Sequence, residues 1–293
     1  MHVSRCALDL GLEVWFSPAL FDKSPAETLR YIIDAARVAE SVRTSTDAKL
    51  VFCIGQELML FMRGILPGRN LLERFNNPAN RQMIRAGKHR APLNAFLGEV
   101  TGAVRHVFHG PIAYASLPFE GVEWGSFDVV GVDHYWDERL GDRYLEMLHP
   151  FLATGKPVVV TGTGSRAYQG AHTTGTLGFG VVDCRSQFLH TLPLIGRLVR
   201  PHLKGTYIRD EGAPARRLTD VLGLLDGAGV EGVFIDSFVD PIAPFSDDPR
   251  YDLDMSALSL VKTYEHGHGS VYPDMTWDPK EAFHAVADFY ANH

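Results

Sequence analysis

Only three cysteines occur in the 293 residues, Cys6, Cys53 and Cys184, and none lies in a CxxC spacing. An odd number of scattered thiols argues against a disulfide framework or a zinc cluster and suits a reducing compartment. Long apolar runs are missing as well. The opening stretch MHVSRCALDLGLEVWFSP is interrupted by Asp9 and Glu13, so it matches neither a secretory leader nor a membrane span, and a cytoplasmic protein without a membrane partner is expected. No Lys/Arg-rich block stands out and the formal net charge is -7, which sets nucleic acid aside. A dinucleotide fingerprint is also lacking. The nearest approaches, GTGSRAYQG (162–170) and GTLGFG (175–180), come late and have the wrong glycine spacing. DPRYDLD (248–254) lacks the Gly and terminal Glu of a calcium loop, and the His266/His268 pair has no evident third ligand. No metal or cofactor is expected.

The chain is rich in alternation. Short apolar, β-branched runs appear at LEVWFS (12–17), KLVFCIG (49–55), PIAYAS (111–116), FDVVGVD (127–133), KPVVVTG (156–162) and VEGVFIDS (230–237). Near-continuous apolarity of this kind predicts parallel strands covered on both faces. Amphipathic stretches separate them at 24–43, 92–108, 143–154, 216–229 and 279–291; the first has Ser24 as N-cap and Pro25 at the first helical position. Strand–helix repetition leaves a doubly wound sheet or a TIM-type barrel. The barrel is favoured because polar groups gather just after the strands, where a barrel keeps its site. The chain reads as one (β/α) barrel domain over 1–293, with an insertion at about 165–208.

The strand ends carry Trp15, then Gln56 and Glu57, then Glu120, then Asp133, His134 and Tyr135, then Thr161 and Gly162, then Asp236, with Arg166 close behind. Carboxylates, an imidazole and aromatic rings on one rim would give acid/base groups and a platform for a small polar or ring-containing substrate. Each has a structural reading too. Glu57 could pair with Arg63, Asp133 could cap a helix, His134 could satisfy a buried carbonyl, and Asp236 could pair with Arg166 or Arg209.

Six stretches, GLEVWFSPALFD, QELMLFMRGILPG, FDVVGVDHYWD, GKPVVVTGTGSRAYQGA, DPRYDLDMSALSLVKTY and PKEAFHAVADFY, together resemble the glycoside-hydrolase-like TIM-barrel family often labelled abortive phage infection proteins, across essentially the whole chain. The resemblance implies that residue 12 opens the third strand of the barrel and that the first two strands are absent. Two long open edges would then need other segments, or a second copy in a homodimer, to cover them. It also implies that Glu57 stands where the wider clan of retaining glycosidases has its acid/base carboxylate, after Gln56 in place of an Asn, and that His134 and Tyr135 match a His-Tyr pattern. Gly162 falls where that clan has its nucleophilic Glu. Double displacement needs two carboxyl groups about 5–5.5 Å apart, so the usual retaining course is disfavoured.

Three classes of function remain. One is a hydrolase with Glu57 as general acid and Asp133, Asp236 or Glu120 activating water across a gap of about 6.5–9.5 Å. Another is a repurposed enzyme of secondary metabolism, a cyclase, isomerase or lyase using Glu57 and His134 for proton transfer. The last is a non-catalytic binder descended from an enzyme. Trp15, Gln56, Glu120, Tyr135, Thr161 and Arg166 are expected to bind the substrate, with Glu57, His134, Asp133 and Asp236 as the catalytic candidates.

Overall fold

The computed structural model describes residues 2–45, 49–173, 180–194 and 196–293. Its helices are α1 (His2–Asp9), α2 (Pro25–Arg43), α3 (Leu58–Phe61), α4 (Leu71–Asn76), α5 (Pro78–Arg85), α6 (Arg90–Arg105), α7 (Arg143–Glu146), α8 (His149–Leu152), α9 (Cys184–His190), α10 (Gly212–Gly227) and α11 (Glu281–Asn292). The strands are β1 (Val14–Phe16), β2 (Leu50–Gln56), β3 (Ile112–Ser116), β4 (Val129–Asp133), β5 (Val158–Thr163), β6 (Gly232–Ile235), β7 (Val261–Thr263) and β8 (Trp277–Pro279). The first six strands form one sheet in sequential order β1-β2-β3-β4-β5-β6, parallel as an α/β barrel requires. A separate antiparallel pair joins β7 and β8. No described helix is long and apolar enough to cross a membrane.

Each of the six apolar runs becomes a strand of that sheet. The edges differ from expectation: β1 has three residues and β6 four, so the open borders are short rather than long. Short edge strands offer little template for pairing with another chain. The amphipathic stretch at 143–154 splits into two single turns, α7 and α8, because Pro150 has no N–H to donate and its ring crowds the preceding turn.

The chain forms two compact units. The first comprises Met1–Asp133 and His149–Val159. Successive β2 side chains point to opposite faces. Phe52 and Ile54, both fully buried, pack with Ile32, Ala36 and Leu93 from α2 and α6. Val51 and Cys53 face the other way and meet Ala113 and Ala115 of β3, with Trp15 and Val129 alongside. A capping box starts α2: the Ser24 hydroxyl accepts from the Glu27 N–H while the Glu27 carboxylate accepts from the Ser24 N–H.

The second unit comprises His134–Leu148 and Val160–His293. Helices α10 and α11 pack through Leu218, Leu222, Ala282 and Val286. The segment expected as an insertion carries α9 and is closed by two antiparallel bridges, Tyr168 to Arg209 and Val182 to Leu203. Residues 175–179 of the GTLGFG stretch lie outside the described residues. The same unit holds a buried ion network. The Arg209 guanidinium donates to both oxygens of Asp252 and to Asp254 at 2.8–3.0 Å, and Lys280 Nζ lies 2.9 Å from the other Asp254 oxygen.

Candidate functional site

The geometry at the end of β2 starts with a register change. Cys53 pairs with Ala113, but the next partner, Ala115, faces Gln56, so β2 holds one extra residue. Such a bulge bends a strand and re-aims the residues beyond it. Gly55 makes it possible. Its φ is +156°, and a Cβ there would come within 3.1 Å of the Leu58 side chain. Glu57 then takes left-handed backbone angles, φ 45° and ψ 41°, which cost a non-glycine residue free energy. Its N–H donates to the Ala115 carbonyl at 2.9 Å, and α3 begins immediately after it. Local sequence therefore sets where the Glu57 carboxyl group leaves the sheet. Arg63, the partner considered for Glu57, has its guanidinium 3.5 Å from the Glu27 carboxylate.

Around that turn the first unit gathers the ends of three strands. Gln56 donates its side-chain N–H to Asp133 Oδ2 at 3.1 Å, joining β2 to the end of β4. Trp15 of β1 packs on the small residues beside them. Burial pushes the Cys53 thiol up to about 11, so it remains protonated. A small hollow of about 30 Å³ lies against Ser17, Phe21, Gln56, Leu58 and Phe61.

Glu120 belongs to this unit but reaches no open space. It is 0 % exposed, and it accepts hydrogen bonds from the Met59 N–H at 3.1 Å, the Tyr114 hydroxyl at 2.9 Å and the Leu117 N–H at 3.3 Å. Desolvation lifts its carboxyl to about 8 against these bonds, with the Asp133 charge adding to the rise. It braces the loops after β2 and β3 and is the proton-bearing form at neutral pH. This proton makes stability depend on pH. The folded-state value lies above the free-chain value of 4.5, so the folded protein binds the extra proton between the two. The contribution is complete below pH about 4.5 and lost as pH rises toward about 8, with a slope of up to ~1.4 kcal/mol per pH unit. Urea unfolding across this range should show that decline in the native chain and a flatter dependence in Glu120→Gln.

In the second unit, His134 donates Nε2–H to the Tyr144 carbonyl at 2.8 Å and stacks on the Tyr144 ring at 4.1 Å. The Tyr144 hydroxyl returns a bond to the His134 carbonyl at 3.1 Å. Burial lowers the His134 value, which favours the neutral ring this arrangement uses. The imidazole thus satisfies a buried carbonyl and fastens α7. Tyr135, the next residue, donates its hydroxyl to Asp236 Oδ2 at 2.7 Å. Arg166 is 7 % exposed and gives its Nε–H to the Ser256 carbonyl at 2.9 Å, while Arg209 is committed to Asp252 and Asp254. Thr161 is half-buried, and Gly162, with no side chain, lends its carbonyl to the His134 N–H at 2.9 Å.

No protein-family model matches this sequence, and no curated protein sequence does either. Solved structures do match. A GH113 β-1,4-mannanase shares 14% identity and a TM-score of 0.57, covering 100% of this chain and 78% of its own. The GH113 β-mannanase AaManA from Alicyclobacillus acidocaldarius gives 13%, 0.53, 100% and 77%. The fold is glycoside-hydrolase-like. A GH2 β-galacturonidase from Eisenbergiella tayi agrees at 16% identity and TM-score 0.52, covering 98% of this chain and 42% of its own. At such identities the likeness concerns fold alone, and that fold is a TIM-type α/β barrel lacking two strands.

Sequence reasoning missed three features here: the bulge at Gly55, the protonated Glu120 and the part played by Tyr144. An isolated Gly inside an apolar strand run is the available signal for the first. Nothing in the sequence announces the other two.

Proposed function

We propose that the chain is a glycoside-hydrolase-like enzyme in which Glu57 supplies acid/base chemistry to a small polar, ring-containing substrate. The observation that carries this reading is the left-handed backbone at Glu57, set just past the bulged C-terminal end of β2. Strained non-glycine residues persist where the surroundings over-determine them, and they concentrate at working sites. The mannanase and galacturonidase neighbours act on sugars according to their names, which supports a glycosidic substrate. The resemblance to the family labelled abortive phage infection proteins bears on kinship and leaves the reaction open.

Three residues bear on the course of the reaction. Gly162 offers no nucleophile on β5, so a single displacement by water replaces the covalent intermediate. Glu120, held protonated near neutral pH, cannot be the base. Asp133, in the same unit as Glu57 and held by the Gln56 amide, is assigned that role. A panel of nitrophenyl glycosides tests the reading: turnover of at least one sugar is expected, and silence across the panel moves the assignment to a cyclase, isomerase or lyase acting on another small molecule.

A further inference from the structure

The first unit carries a strip of cations that the Glu57 reading does not use. Residues 74–98 hold Arg74, Arg81, Arg85, Lys88 and Arg90 but no Asp or Glu, in a chain whose net charge is -7. Neighbouring arginines are committed: Arg63 to Glu27, Arg69 to Glu73, Arg74 to Asp22 and Arg105 to Asp128. Arg81, Arg85, Lys88 and Arg90 are exposed, and among the described residues none of the four forms an ion pair. Arg81 and Arg85 lie one turn apart on α5, a like-charge spacing that disfavours a helix and that a bound anion would offset.

The strip lies on the connection from β2 to the start of α6, which leaves the C-terminal end of a barrel strand, where such folds keep their ligands. That connection is fastened from within. Buried Arg74 donates Nε–H to the Leu60 carbonyl at 2.5 Å and an Nη2 hydrogen to the Phe61 carbonyl at 3.2 Å, tying α4 to the helix that follows Glu57 directly. The Asn80 side chain, in the first turn of α5, donates to the Pro67 and Arg74 carbonyls at 2.9 and 2.8 Å. Met83 and Ile84 pack on the core of the unit, which turns Arg81 and Arg85 outward.

We infer that this strip binds a linear polyanion, an acidic polysaccharide in class, whose repeated carboxylates lie along Arg81, Arg85 and Lys88. A planar carboxylate matches the fork of a guanidinium. Residues 76–90 expose no aromatic ring on which a nucleobase could stack and no large apolar side chain to enter a bilayer, although Leu72 and Phe75 of α4 are exposed nearby. The choice of a sugar polymer rests on the Glu57 reading and adds a charge to its substrate class. Calorimetric titration of the full chain with oligogalacturonate, a neutral mannose oligosaccharide of equal length, single-stranded oligodeoxythymidine and phosphatidylserine vesicles tests it. Saturable oligogalacturonate binding is expected, at least about tenfold tighter than the neutral sugar, weaker in high salt, and weakened at least about tenfold when Arg81→Gln, Arg85→Gln and Lys88→Gln are combined. All three positions are exposed, so the unfolding midpoint should hold. Absence of oligogalacturonate binding, a neutral sugar bound as tightly, tighter binding of the oligonucleotide or the vesicles, or an unchanged titration in the triple variant would overturn it. Binding is read without turnover, so it can fail while nitrophenyl glycosides are cleaved and hold while none is.

Discussion

Replacing Glu57 by Gln is expected to lower turnover of glycosides with a sugar or alkyl leaving group by about 10²–10⁴-fold, the usual worth of one positioned proton donor, and of nitrophenyl glycosides by less. The amide keeps the size and hydrogen-bonding reach of the carboxyl group but cannot give up a proton at neutral pH. KM should change little, because the substituted group acts on the leaving oxygen in the transition state rather than on the bound ring. The backbone at residue 57 is set by the Gly55 bulge and by the N–H bond to Ala115, which the substitution leaves alone, so the unfolding midpoint should stay close to native. A purely structural Glu57 would give the reverse pattern, a lowered midpoint with intact turnover per folded molecule.

The largest stability loss is expected from Lys280→Met. Lys280 is 3 % exposed and Asp254 fully buried, with Nζ 2.9 Å from one carboxylate oxygen and 3.1 Å from the Ser259 hydroxyl. Burial lowers the Lys280 value and the Asp254 charge opposes that fall. Methionine fills much of the same volume, so the cost is electrostatic. It leaves the Asp252–Asp254 pair with Arg209 as the remaining cation and a buried carboxylate oxygen without its partner. Breaking one side of a buried pair costs about 3–5 kcal/mol, and denaturant titration of the variant against the native chain reads it directly. The double change Lys280→Met with Asp254→Leu should recover part of the loss, because it removes both charges together.

The six sheet strands and the long helices were legible because their signals are local. Apolar runs such as KLVFCIG and the Ser24-Pro25 start of α2 state their structure within a few residues. Helices α4 and α5 carry equally local signals that a strand-and-crossover reading passes over: Asn70 accepts from the Glu73 N–H, and Asn77 accepts from the Ala79 N–H with Pro78 at the first helical position. The site was legible only as a set of strand ends. Gln56 and Asp133 meet across 77 positions, and Tyr135 and Asp236 across 101, through sheet order rather than pattern. Burial is less legible still. Glu120 reads in the sequence as a rim carboxylate and becomes the bonded, protonated brace between two loops because Tyr114 and the turn after β2 close over it. The acidic run at 248–254, read as a poor calcium loop, finds its partner in Arg209, more than 40 residues earlier.

Under the proposed function, proton transfer by Glu57 without a nucleophile at position 162 sets the stereochemistry of cleavage. The most direct test is proton NMR of the first sugar anomer released from a cleaved nitrophenyl glycoside, before mutarotation. Release of the anomer opposite to that of the substrate is expected. Release of the same anomer would contradict a single displacement, since retention takes two displacements and hence a nucleophile from the protein or the substrate.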